Sequence, residues 1–212
     1  MSESPLPNSP SAAPPWKSVA AWLCLLLPLV LGLGLDLLSK HLAFEAPPTG
    51  LVTGYTIEEG RPGVESIEAR PLPNVLHLHA HVNYGAVFGI GQGQRVIFVV
   101  VSAFAIGLLA FLFARSGRQR LYQFLLGLLF AGVLGNLYDR VVFGYVRDMI
   151  YAFPNLHWSD LWKALPQMEV FPWIFNVADS LLCTGVGAMF VYTTFRKAPA
   201  PNHLAPAEVA TK

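Results

Sequence analysis

Residues 121–142, LYQFLLGLLFAGVLGNLYDRVV, form a run long enough to cross a bilayer that nevertheless ends in Asn136, Asp139 and Arg140. About 20 apolar residues span the hydrocarbon core. A carboxylate at the bilayer centre costs about 2.5–3.5 kcal/mol even on a lenient insertion scale, so such groups face a bundle interior, a wet cavity or the interface. Working outward, three further stretches qualify as spans. They are Val19–Leu38, broken only by Asp36; Val96–Ala114, which holds no charge; and Ile174–Phe195, with Asn176 and Asp179 near its start. The 212-residue chain is 54% hydrophobic and 13% charged, with a mean hydropathy of +0.48. A soluble domain is about 25% charged. The expectation is therefore a mainly α membrane protein with four transmembrane helices. A net charge of +1 with no basic stripe gives no support for nucleic-acid binding.

Residues 1–17 and 198–212 are rich in Ser, Pro and Ala and are expected to be disordered tails around one membrane domain, 18–197. Cys24 and Cys183 both fall in apolar spans, which argues against a disulfide framework or a metal set. The first span is too long for a signal-peptide core and lacks a small-residue cleavage site after it, so it is read as an uncleaved span. Arg115, Arg118 and Arg120 in one short loop, Arg196 and Lys197 after the last span, and Lys17 before the first all lie on one side. That side is cytoplasmic by the positive-inside rule. Both termini are then inside, and the long connections 39–95 and 143–173 face outward.

This orientation places Asp36, Asn136, Asp139, Arg140, Asn176 and Asp179 at one depth, near the outer ends of their spans, with Asp148 just beyond. The trios Asp36/Ser39/Lys40, Asn136/Asp139/Arg140 and Asn176/Asp179/Ser180 share i, i+3, i+4 spacing, so each presents one helix face. In the first outer connection, VLHLHAHVN (75–83) alternates apolar residues with His77, His79 and His81, the pattern of a half-buried strand. A solvated histidine face fits that strand better than a zinc site, because alternate side chains on a flat strand lie about 7 Å apart. Gly50–Tyr55 and Thr56–Ile67 are candidate further strands. The glycines at 89, 91 and 93 lack the Lys-Ser/Thr pair of a phosphate loop. The connection 149–173 carries Tyr151, Phe153, Trp158, Trp162, Phe171 and Trp173. It reads as an amphipathic segment on the lipid, or as a cover over a site.

No HExxH, GxSxG or Cys–His arrangement is present, and Ser39 and Ser180 have no histidine inside a span. The best reactive pair is two carboxylates. Held close in a low-dielectric site they share a proton, one drawing a proton from water while the other hydrogen-bonds a scissile carbonyl. Asp36 four residues before Lys40, and Asp139 beside Arg140, fit structural ion pairs. Asp148 and Asp179 fit that account less well, though Arg147 adjoins Asp148. From residues alone, an aspartyl hydrolase and a small ion-coupled transporter remain open.

Five blocks, D-L-L-S-K (36–40), N-Y-G-A-V-F (83–88), G-N-L-Y-D-R (135–140), G-Y-V-R-D-M-I (144–150) and F-N-V-A-D-S (175–180), occur in the order seen in lipoprotein signal peptidases (signal peptidase II). The chain closely resembles that family over about residues 18–195. The resemblance implies an aspartyl endopeptidase of the bacterial cell membrane that cuts diacylglyceryl-modified prolipoproteins before the lipidated Cys, at the outer face. It implies four helices, an outer β-cradle within 41–94 and a periplasmic aromatic helix or loop. The catalytic pair falls on Asp148 and Asp179. Asn83, Gly85, Asn136, Arg140, Asn176 and Ala178 fall on substrate-binding or supporting positions, and Asp36, Lys40 and Asp139 on structural ones. Membrane lipid and the lipoprotein precursor are the expected partners of a monomer, without metal or organic cofactor. The chain departs from the family pattern at Val87 and Met149, and in the 31-residue separation of Asp148 and Asp179.

Overall fold

A computed structural model of the chain describes residues 14–44, 55–57, 65–72, 75–85, 91, 93–154 and 156–196. Helices α1 (Val19–Phe44), α2 (Arg95–Ala114), α3 (Arg120–Val142) and α5 (Val177–Phe195) are each long and apolar enough to cross a membrane. Strands β1 (Tyr55–Ile57), β2 (Glu65–Leu72) and β3 (Leu76–Asn83) lie between α1 and α2. Strand β4 (Val146–Ala152), the single turn α4 (Trp158–Leu161) and β5 (Ile174–Phe175) lie between α3 and α5. The predicted tails lie outside the described residues except at 14–17, where Pro15–Lys17 form a 3-10 turn instead of continuing the tail.

Helix α3 is central and packs against α1, α5 and α2. Ala21, Leu25, Leu109, Phe113, Leu126, Leu129 and Phe130 form the core they share. Lipid gives apolar helices no hydrophobic reason to associate, so close approach through small residues does that work. A Cβ on Gly132 would lie 2.6 Å from the Ala178 carbonyl, and one on Gly135 would collide with the Asp36 carboxylate. The opposite faces of α1, α2 and α5 leave Leu31, Phe104 and Phe190 exposed, as lipid-facing surfaces require.

One end of the bundle is tied by the residues read as cytoplasmic. Arg120 Nη2 donates to Ser18 Oγ (3.1 Å), and Tyr192 donates to Gln119 (3.3 Å). Buried Gln123 donates to Ser116 Oγ and the Gly117 carbonyl, both at 2.9 Å. Gln123 is an embedded amide at this end, so the gathering of polar groups at the other end is a strong bias and not a rule.

The strands form an antiparallel meander in the order β1-β2-β3-β4-β5. The strict alternation expected along 75–83 does not survive. His77 pairs with Tyr151 and Leu78 with Ile150, but the next partner of β4 is His81 with Asp148, so β3 carries one extra residue. Such a bulge turns the preceding side chains over. Ala80 and Val82 are buried as expected, but His77 is buried as well, edge-on to Tyr151 at 6.3 Å, while Leu76 and Leu78 are only half-buried.

The second connection takes the loop form of the expected aromatic helix or loop. Its ends are the strands β4 and β5, and its helical part is only the turn Trp158–Leu161. A hairpin loop between them is closed by Trp158 N–H to Met168 O (2.9 Å) and Val170 N–H to Leu156 O (2.7 Å). Tyr151 of β4 donates to Glu169 Oε2 at 2.7 Å and latches the loop to the sheet. The fourth span starts at Val177 and not at Ile174. Asn176 is the N-cap: its side chain accepts from the Asp179 N–H, and Asp179 returns a bond to the Asn176 N–H. This reciprocal capping box fixes where the helix begins.

Candidate active site

The polar residues at the other end of the bundle converge where β3, β4, α1, α3 and the start of α5 meet. Asp148 is almost fully buried on β4. Asn83 at the end of β3 donates to Asp148 Oδ2 (3.0 Å), and Asn176 donates to Asp148 Oδ1 (2.6 Å). Asp179 receives Asn136 Nδ2 on Oδ1 (2.8 Å) and the Asn176 N–H on Oδ2 (3.3 Å). Asn176 thus holds both aspartates, one through its side chain and the other through the helix cap.

Burial is the main force pushing the Asp148 carboxyl up, to about 7, and the neighbouring Asp179 charge adds to it. The Asn83 and Asn176 amides and the Lys40 charge oppose that rise. A carboxyl poised near neutrality can hold a proton that its partner lacks, the condition for paired acid–base work.

Arg140 lies beside the pair. Its Nη2 donates to the Gly85 carbonyl (3.1 Å), its Nη1 to the Asn136 carbonyl (3.3 Å), and its guanidinium lies 5.0 Å from the Phe98 ring centroid. Gly85 in turn donates its N–H to Asn83 Oδ1 (2.9 Å). Ala178 enters through its backbone, donating to Asp36 Oδ1 (2.8 Å), with its own side chain fully buried.

Beneath lies a buried ion cluster. Lys40 Nζ reaches Asp36 Oδ2 at 2.8 Å and Asp139 Oδ2 at 3.2 Å. Asp139 does not pair with its neighbour Arg140, as the sequence suggested. It takes Arg147 through Nε (3.2 Å), Nη2 (3.0 Å) and the backbone N–H (2.9 Å). Arg147 and Asp148 are adjacent in a strand, so their side chains point to opposite faces. Arg147 therefore belongs to the scaffold and leaves Asp148 to the asparagines. The sequence reading missed this role for Arg147; the signal was strand alternation at 146–152. Ser39 bonds back to the Asp36 carbonyl (2.9 Å) and Ser180 to the Asn176 carbonyl (3.2 Å), as helix-bound hydroxyls do.

Four membrane-length helices, an antiparallel sheet at one end, and buried Asp148 and half-buried Asp179 linked through asparagine amides define an integral membrane protein with a candidate paired-carboxylate site. A family model for signal peptidase (SPase) II matches residues 29–195, and the chain belongs to that family. The lipoprotein signal peptidase of Rhodopirellula baltica is 34% identical over 209 residues, covering 88% of this chain and 81% of that protein. The Halalkalibacterium halodurans lipoprotein signal peptidase is 36% identical over 121 residues, 57% of this chain and 69% of that one. A bacterial membrane enzyme solved at 2.3 Å resolution superposes with a TM-score of 0.59 at 26% identity, covering 82% of this chain and 92% of its own.

Proposed function

We propose that this signal peptidase II family member removes the signal peptide from diacylglyceryl-modified prolipoproteins, cutting before the lipidated Cys, with Asp148 and Asp179 as an aspartic catalytic pair. The observation that supports this most is Asn176, which caps the helix bearing Asp179 while donating to Asp148 at 2.6 Å. One residue thereby fixes two carboxylates from different elements in one site. Asp148, whose carboxyl is pushed up to about 7, holds the shared proton. Ionised Asp179 takes a proton from water as the water oxygen attacks the scissile carbonyl carbon. Asp148 gives its proton to the carbonyl oxygen, forming a neutral tetrahedral diol. Collapse breaks the C–N bond, returns a proton to Asp148 and passes the Asp179 proton to the leaving amine. No metal is required for this balance.

Arg140, Asn83, Gly85 and Asn136 border the pair and serve to seat the substrate backbone. The basic residues at the opposite end of the bundle make that end cytoplasmic by the positive-inside rule. Both termini are then inside and the aspartates lie at the outer interface, where a lipid-anchored signal helix arrives laterally from the bilayer. A single chain supplies both aspartates, so a monomer suffices. The ion-coupled transporter alternative has no support in the family match.

The test is incubation of purified protein with a diacylglyceryl precursor and mass measurement of the product. Asp148→Asn and Asp179→Asn should each lower turnover by about a hundred- to ten-thousandfold. Normal turnover in either variant, or a cut elsewhere than before the lipidated Cys, overturns the proposal. Asp-dependent ion flux without cleavage would restore the transporter.

A further inference from the structure

The asparagines around the aspartates share a feature beyond their identity. A primary amide can present either its oxygen or its nitrogen, and only the nitrogen end can donate to a carboxylate. Each amide here has its oxygen taken by a donor. Asn83 Oδ1 accepts the Gly85 N–H at 2.9 Å, and Asn176 Oδ1 accepts the Asp179 N–H at 2.9 Å. These two orientations are fixed by backbone. The third is not: Asn136 Oδ1 accepts from Lys40 Nζ at 3.3 Å. Asn176 Nδ2 gives one hydrogen to Asp148 at 2.6 Å and the other to this same oxygen at 3.1 Å, so Asn136 Oδ1 accepts from both Lys40 and Asn176.

Lys40 is fully buried, so it cannot touch a substrate. An ammonium has three N–H donors and no acceptor. Here they meet Asp36 Oδ2, Asp139 Oδ2 and Asn136 Oδ1 at 2.8, 3.2 and 3.3 Å. A flipped Asn136 would turn its NH2 toward the ammonium and its oxygen toward the Asp179 carboxylate, losing both bonds.

We propose that Lys40 is a positioning residue for the peptidase reaction, holding the Asn136 amide together with Asn176 so that its nitrogen faces Asp179 and keeps that aspartate the proton acceptor. This rests on Asp148 and Asp179 being the catalytic pair. Without Lys40, a flipped Asn136 can accept a hydrogen bond from protonated Asp179, and the wrong member of the pair then carries the proton for part of the time.

The groups facing Lys40 are Asp36 on α1, Asn136 and Asp139 on α3, and, through Asp139, Arg147 on β4. Lys40→Met alone leaves Asp36 and Asp139 in excess, so the test uses Asp36→Asn/Lys40→Met as a charge-balanced companion, compared with Asp36→Asn. Precursor cleavage should show kcat lowered about tenfold to a hundredfold, the worth of a hydrogen bond from a charged group. KM should change by less than about twofold, because no substrate contact is removed. The alkaline limb of the pH–rate profile should move upward in Lys40→Met, since a cation near Asp148 has been removed. Combining Asn136→Ala with either Lys40 variant should give a total loss no greater than that of Asn136→Ala alone, because Lys40 acts through that amide.

A kcat within about twofold of the parent, or losses from Lys40→Met and Asn136→Ala that multiply, overturns the proposal. Asp148→Asn and Asp179→Asn are run alongside. If they keep turnover, the catalytic pair itself is wrong; if they lose it while the Lys40 variants do not, only the positioning role fails.

Discussion

Asp148→Asn should separate the chemical role of this carboxyl from its energetic cost. Its carboxyl lies at about 7 in the folded chain against an ordinary value of 3.8. A raised folded value means the native state binds a proton that the unfolded chain releases. Stability attributable to this group therefore falls as pH rises from about 4 to about 7, and the cost is complete above that. That rise from 3.8 to about 7 corresponds to on the order of 4 kcal/mol. The side chain is almost fully buried, so solvent screening removes little of that. Asparagine abolishes the ionisation but has one oxygen where Asp148 uses two, for Asn83 and Asn176. One of those donors is left facing an NH2, which costs about 1–3 kcal/mol. The variant should then be less stable than the parent at pH 4 and more stable at pH 8, with a crossing at about pH 5–6. In detergent micelles the difference in apparent melting temperature should swing by on the order of 10 °C across that range. Cleavage should be lost at every pH. Parallel melting curves from pH 4 to pH 8 would refute the reasoning that burial raises Asp148.

Two further outcomes follow from the packing and the loop between β4 and β5. Gly135→Ala places a Cβ against the Asp36 carboxylate, beside the Lys40 cluster and 3.2 Å from the Ala178 Cβ. It should destabilise the chain by about 1–3 kcal/mol and lower cleavage, whereas Gly107→Ala, which meets nothing, should do neither; melting curves and turnover of both variants check this. Trp158, Leu161, Trp162 and Met168 are exposed on a loop that rejoins the chain just before β5 and α5. Aromatic residues favour the membrane interface. A variant retaining Trp162 as its only tryptophan should be quenched by brominated lipid in vesicles and not by aqueous acrylamide; the reverse pattern would place the loop in water.

The four spans were legible because a long apolar run has no other economical use, and the meeting of Asp36, Asp139 and Asp179 at one end of the bundle followed from their places near the ends of spans that alternate in direction. What escaped were boundaries and partners set by other elements. Ile174 and Phe175 are as apolar as a helix start, yet they pair with Tyr151 and Ile150. The cue was the spacing of Asn176 and Asp179, which suits an N-cap better than two positions on one helix face. Arg147 adjoins Asp148 in sequence, but strand alternation sends it to the opposite face, where Asp139 takes it. The extra residue between Leu78 and His81 left no mark in the pattern, which still alternated on paper.

Lys40 shows why the rest of the site could not be read this way. Its pairing with Asp36 is local and follows from helical spacing, but the bond that orients Asn136 joins residues 96 positions apart. Residue types alone allow each asparagine to aim either end of its amide at an aspartate. The choice follows from which donors have already claimed the three oxygens: Gly85 N–H on Asn83, Asp179 N–H on Asn176, and Lys40 Nζ with Asn176 Nδ2 on Asn136. Among the described residues no buried side-chain nitrogen or oxygen lacks a partner, so this accounting closes without slack. In so dry a site an unpaired polar atom is expensive. The donors aimed at Asp148 and Asp179 are therefore set by the whole network, and a change at Lys40 should reach the aspartates without touching them.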